Sequence, residues 1–133
     1  MSVYIHNCVV AFSNLVIGLP ILHLLSAQAN SMKYALIVCA MCASFVFHLS
    51  ETKHQLPGLP ILRNYTWHFL QVDRFFAILA ALYVFANFIS WYLGIIGFVL
   101  LGISEFFSEG KKWRFTITHS LWHVCAFICL YLT

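Results

Sequence analysis

Apolar residues run along this chain in long blocks, and the polar interruptions between them are short. Five blocks stand out, at about 3–27, 34–49, 66–88, 91–107 and 113–132. Most approach the roughly 20 residues a helix needs to cross the hydrocarbon core of a bilayer. Gln28, Asn30 and Lys33 close the first block, and Ser50, Glu51, Lys53 and His54 close the second. The segment that follows holds Pro57, Gly58 and Pro60 and reads as the one real loop. Pro20, inside the first block, predicts a kink. Gly94 and Gly97 predict a close packing face on the fourth block, as do Ala77, Ala80 and Ala81 on the third. A soluble bundle would need a polar face on each helix, and the blocks offer none. The expectation is therefore an all-α protein. It is a single multi-pass transmembrane domain over 1–133 with about five spans, its short connections making successive helices antiparallel neighbours.

Composition strengthens this reading. Hydrophobic residues make up 62% and charged residues 8%, against roughly 25% charged in a soluble domain. No basic patch interleaved with aromatics exists, which sets nucleic-acid binding aside. The first charged residue is Lys33, so the first block lacks a basic n-region and reads as a retained helix rather than a cleaved signal. Lys53, Arg63, Lys111, Lys112 and Arg114 gather at one end of the bundle, with Arg74 just inside it, whereas the other end has Lys33. The positive-inside rule puts the richer end, and the N-terminus, in the cytoplasm. Tyr65, Trp67, Trp91, Tyr92 and Trp113 fall at block ends, where aromatic belts are expected. Cys8, Cys39, Cys42, Cys125 and Cys129 all lie in apolar blocks and read as small hydrophobes in a reduced setting. The C-x-x-C spacing of Cys39 and Cys42 lacks the second pair a zinc ribbon needs.

Candidate chemistry enters with His119 and His123, four residues apart in the last block and so on one helical face. Polar rings at membrane depth are costly unless paired or functional. His48 lies near the cytoplasmic end of the second block, with Ser44 one turn deeper on the same face, and Asp73 lies about two turns into the third. At about 1.5 Å per residue, all of them fall within roughly 10–15 Å of the same boundary. Three neutral imidazoles with an open fourth position form a zinc site of the catalytic kind. Zinc lowers the pKa of a bound water to about 7, Asp73 suits the role of general base, and Ser44 can orient it or donate to a developing oxyanion. Glu51 either accepts from the second ring nitrogen of His48 or, as the favoured reading, is a solvated loop carboxylate. His6, His23, His54 and His68 stand apart from the cluster, and Glu105 and Glu109 are expected to face headgroups.

Ser44-Phe45-Val46-Phe47-His48, then Asp73, then His119-Ser120-Leu121-Trp122-His123 resembles the S-x-x-x-H … D … H-x-x-x-H signature of the CREST superfamily. That group includes alkaline ceramidases, progestin and adipoQ receptors and Per1-type proteins. The resemblance implies that His48, His119 and His123 bind Zn2+, and that Asp73 and Ser44 activate a water for hydrolysis of a ceramide-like lipid amide. It implies a lipid substrate and an intracellular membrane such as the endoplasmic reticulum or Golgi, with the site facing the cytoplasm. Members of the superfamily usually have seven spans; the five expected here omit a pair between the Asp helix and the last His helix, which would partly wall the lipid pocket. Two rival readings stay open. One is a haem-binding electron carrier using His48 and one of the last-block histidines. The other is a non-catalytic subunit of a membrane complex.

Overall fold

The computed structural model describes residues 5–27, 30–51, 59–87, 91–106 and 112–133. Its helices are α1 (Ile5–Ser26), α2 (Ser31–Ser50), α3 (Pro60–Arg63), α4 (Thr66–Asn87), α5 (Trp91–Phe106) and α6 (Lys112–Leu132), and no strand occurs among the described residues. Four of them (α1, α2, α4, and α6 from Trp113 onward) are long and apolar enough to cross a membrane. These are the expected blocks to within a few residues. The described part of α5 has 16 residues, about 24 Å at 1.5 Å per residue, short of a bilayer core of about 30 Å. One turn of helix, α3, interrupts the expected loop; Pro60 at its first position has its φ preset for a helix. α1 runs through Pro20 without a break.

α1 is the central helix, packed on one side against α2 and on the other against α6. α4 lies on the outer side of α2, and α5 on that of α6. The order around the bundle is thus α4–α2–α1–α6–α5. Consecutive α4 and α5 do not pack along their lengths, contrary to the expectation from their short connection. They flank a cavity instead and meet through the stacked rings of Phe85 and Phe98, centroids 6.5 Å apart. Of the expected small-residue faces, Gly97 is used. A Cβ there would lie 2.9 Å from Cζ3 of Trp122, so only glycine lets α5 approach α6 this closely. Gly94 has no such neighbour within 4 Å and lines the cavity, as do Ala77 and Ala81, whereas Ala80 also packs against the core.

That core lies in the half of the bundle away from the histidines. Ile21, Leu22 and Leu25 of α1 interdigitate there with Ile37 and Met41 of α2 and with Phe127 and Leu130 of α6. Its end is closed by polar contacts. Asn30 caps α2 by accepting from the Lys33 amide at 3.0 Å. Buried Lys33 donates from Nζ to the Tyr131 carbonyl at 3.0 Å, at the negative end of the α6 dipole. Tyr65, Trp67, Trp91, Tyr92 and Trp113 are exposed, as an interfacial belt requires.

Candidate metal centre

In the other half, the same three helices bury polar residues. Along α6, Phe115, Thr116, His119, His123, Phe127 and Leu130 are all buried, a spacing of three and four that marks the inward face. The two histidines therefore occupy core positions. α2 adds Ser44 and His48, again one turn apart and both buried. His48, His119 and His123 are 1%, 8% and 4% exposed. One ring nitrogen from each lies within 4.8 Å of the others, close enough to share a metal ion. The rings form a compact tripod, with centroids 4.7 Å apart for His48–His119, 5.2 Å for His48–His123 and 5.0 Å for His119–His123.

Each ring also has a partner on Nδ1. His123 Nδ1 is 2.8 Å from Ser13 Oγ of α1, and His119 Nδ1 is 3.2 Å from Ser104 Oγ of α5. His48 Nδ1 is 2.9 Å from Glu51 Oε2. Glu51 is 4% exposed, which overturns the reading of it as a solvated loop carboxylate. Glu51 is the C-cap residue of α2, in extended backbone, and Asn7 Nδ2 of α1 donates to its carbonyl at 2.7 Å, holding it there. Of the two readings of Glu51, pairing with a ring nitrogen of His48 is the one the fold realises.

Asp73 reaches the tripod from α4. It is half-buried and lies close enough to Ser44, Glu51 and Arg74 to interact with each of them. Ser44 Oγ also lies 3.4 Å from His123 Nε2. All five residues singled out from the sequence are thus brought together. They line one cavity of about 1090 Å3, at or above the upper end of the range for small-molecule sites. Its lining is graded. Asp73, Arg74, Arg63, Glu51 and the histidines gather at one end, and Ala81, Val84, Phe85, Phe98 and Leu130 line the other. Asn14, next to Ser13 on α1, also lines it. Its Nδ2 makes long contacts to the Val10 and Ala11 carbonyls, 3.3 and 3.4 Å, while its Oδ1 is buried without a hydrogen-bond partner among the described residues.

The remaining histidines stay out of the cluster. His6 Nδ1 pairs with Thr116 Oγ1 at 2.9 Å, and His23 and His68 are exposed. His54, Lys53, Glu109 and Lys111 lie outside the described residues, as do the side chains of Glu105 and Lys112. The described cysteines are free thiols, and Cys39 and Cys42 belong to no metal-binding group among the described residues.

No model of a known protein family matches the chain, and no solved structure does. "Uncharacterized protein L282" of Acanthamoeba polyphaga mimivirus is 30% identical to it over 143 aligned residues. The alignment covers 94% of this chain and 93% of the viral protein, so the similarity extends over all the helices that build the cavity. The chain belongs to the family of this viral protein.

Proposed function

We propose that the protein is an intramembrane zinc-dependent hydrolase that cleaves a ceramide-like lipid amide. The observation that carries this reading is the placement of a buried three-histidine tripod beside an Asp–Ser pair, at the polar end of a long and otherwise apolar cavity. The donor set fits the ion. Three imidazoles on tetrahedral zinc, with Zn–N of about 2.0–2.1 Å, place their ring centroids about 5 Å apart, and the three separations here are 4.7, 5.0 and 5.2 Å. Zinc held by His48, His119 and His123 would supply a Lewis acid and a water of lowered pKa.

The chain's own groups do the rest. Asp73 takes a proton from the attacking water and returns one to the departing amine, so that water and amide become acid and amine. Ser44, beside Asp73 and 3.4 Å from His123 Nε2, orients the groups around the attacking water. The apolar stretch from Ala81 to Leu130 accommodates an acyl chain, and Arg63 and Arg74 lie where a polar head would sit. The free Asn14 Oδ1 is a ready acceptor for a substrate N–H or hydroxyl. In this reading α5 completes five spans, the basic end and the site face the cytoplasm, and the membrane is intracellular, such as the endoplasmic reticulum or Golgi.

Bis-histidine haem ligation needs two imidazoles facing each other across a porphyrin plane, whereas these three rings cluster with centroids 4.7, 5.0 and 5.2 Å apart, two pairs edge-on and one tilted, which favours a single small ion. The test is elemental analysis of the purified protein with a hydrolysis assay on ceramide-type amides in vesicles. One zinc per wild-type chain, lost in His119→Ala and His123→Ala together with amide cleavage, is the expected result. A Soret band, or no stoichiometric zinc, overturns the reading. Zinc without amide cleavage leaves the non-catalytic subunit.

A further inference from the structure

We infer that Ser13, Ser104 and Glu51 are positioning residues that hold all three tripod histidines in the single tautomer whose Nε2 is bare. The inference rests on the proposed reading only in taking the histidines as metal ligands. A neutral imidazole carries its proton on either nitrogen, and the partner of one nitrogen decides which. A serine hydroxyl has one proton to give. Ser13 gives its proton to the Val10 carbonyl at 2.6 Å, so towards His123 it can only accept. Ser104 gives its proton to the Leu101 carbonyl at 2.7 Å, so towards His119 it can only accept. As a carboxylate, Glu51 accepts and does not donate. Its backbone is tied by Asn7, and its carboxylate takes the Nδ1–H of His48. Three separate elements therefore set the same choice at three rings.

The consequence reaches beyond hydrogen-bond satisfaction. With every Nδ1 protonated, every Nε2 is left with a lone pair to give to an ion, and none presents an N–H. A single ring in the other tautomer would aim a proton at the ion. Neither α1 nor α5 supplies a ligand, yet each supplies one of the groups that fix the ligands. This gives α5 a task although its described length falls short of a span. The helical i−3 carbonyl bond is what turns each serine from an ambivalent neighbour into a one-way acceptor.

The test reads tautomers directly, in metal-free protein with 15N-labelled histidine in nanodiscs, by long-range 1H–15N correlation spectra. The wild type should show His119 and His123 protonated at Nδ1 and bare at Nε2. Ser13→Ala should move His123 towards a tautomer mixture and leave His119 unchanged, and Ser104→Ala should do the reverse. Ser13→Thr and Ser104→Thr, which keep the hydroxyl, should restore the wild-type pattern. In chelator competition, Ser13→Ala, Ser104→Ala and Glu51→Ala should each weaken zinc binding about 10- to 100-fold. Protonated Nε2 in the wild type, or alanine variants with unchanged tautomers and affinity, would overturn the inference. Wild-type tautomers as stated, in a chain that binds no zinc, would support the positioning and remove the hydrolase reading alone.

Discussion

The three central helices build two different interiors from the same contacts. In the half towards Lys33, α1, α2 and α6 bring together Ile21, Leu25, Ile37, Met41, Phe127 and Leu130, an apolar core closed by a helix cap and a buried lysine. In the other half they bring together Asn7, Ser13, Asn14, Ser44, His48, His119 and His123, all buried or partly buried and all polar. In a bilayer the hydrophobic effect does not drive helices together; close packing and interhelical hydrogen bonds do. The first half associates by packing, the second by directional bonds. The first can therefore slide or repack with modest loss, whereas the second fixes register, because each bond has one geometry. Function belongs on the side that cannot slide.

The sharpest way to break that division is at Asp73, which joins the polar half from outside the three helices. Asp73→Asn keeps the side-chain shape and should lower amide hydrolysis about 10²- to 10⁴-fold. Zinc content by elemental analysis and the thermal unfolding profile should stay at wild-type values. Loss of zinc along with activity would mean that the carboxylate belongs to the ligand set. The converse substitution is Ile37→Ala, at a position 0% exposed in the apolar half. It should lower stability by about 2 kcal/mol or more, read as denaturant-induced unfolding in micelles, while the folded fraction still binds zinc one to one. The smallest effect is expected from the double variant Cys39→Ser, Cys42→Ser. Neither thiol is part of the tripod, so zinc stoichiometry and affinity should not move; a drop would place sulfur in the coordination shell.

Much of the site was legible before any fold was known. The i, i+4 pair His119 and His123, and Ser44 one turn from His48, each place two groups on one helical face by local geometry alone. Their common depth with Asp73 follows from counting residues along a rigid rod of known rise. What local geometry cannot supply is contact across helices. Ser13 and Ser104 are single serines in apolar stretches, and nothing in their neighbourhood distinguishes them from Ser120, which meets no ring nitrogen. Glu51 misleads for the opposite reason. It sits in the most polar stretch of the chain, where exposure is the ordinary expectation, and only its contacts with Asn7 and His48 hold it inside. The separation of α4 from α5 was equally invisible. A short connection brings helix ends together but does not oblige helices to pack along their lengths when Ala77, Ala81 and Gly94 offer little side chain to fill the gap.

The central place of α1 has a consequence for how the molecule comes into being. Its bonds to α6, Ser13 with His123 and His6 with Thr116, each span 110 residues. Of the described helices, a growing chain delivers α1 before the others and α6 after them. Until that last helix arrives, Asn7, Ser13 and Asn14 have lipid, water or an insertion factor where their partners will be. The histidine cluster is therefore completed only when α6 joins, and a chain stopped before α6 leaves a polar-faced helix stranded in the bilayer, a ready mark for quality control.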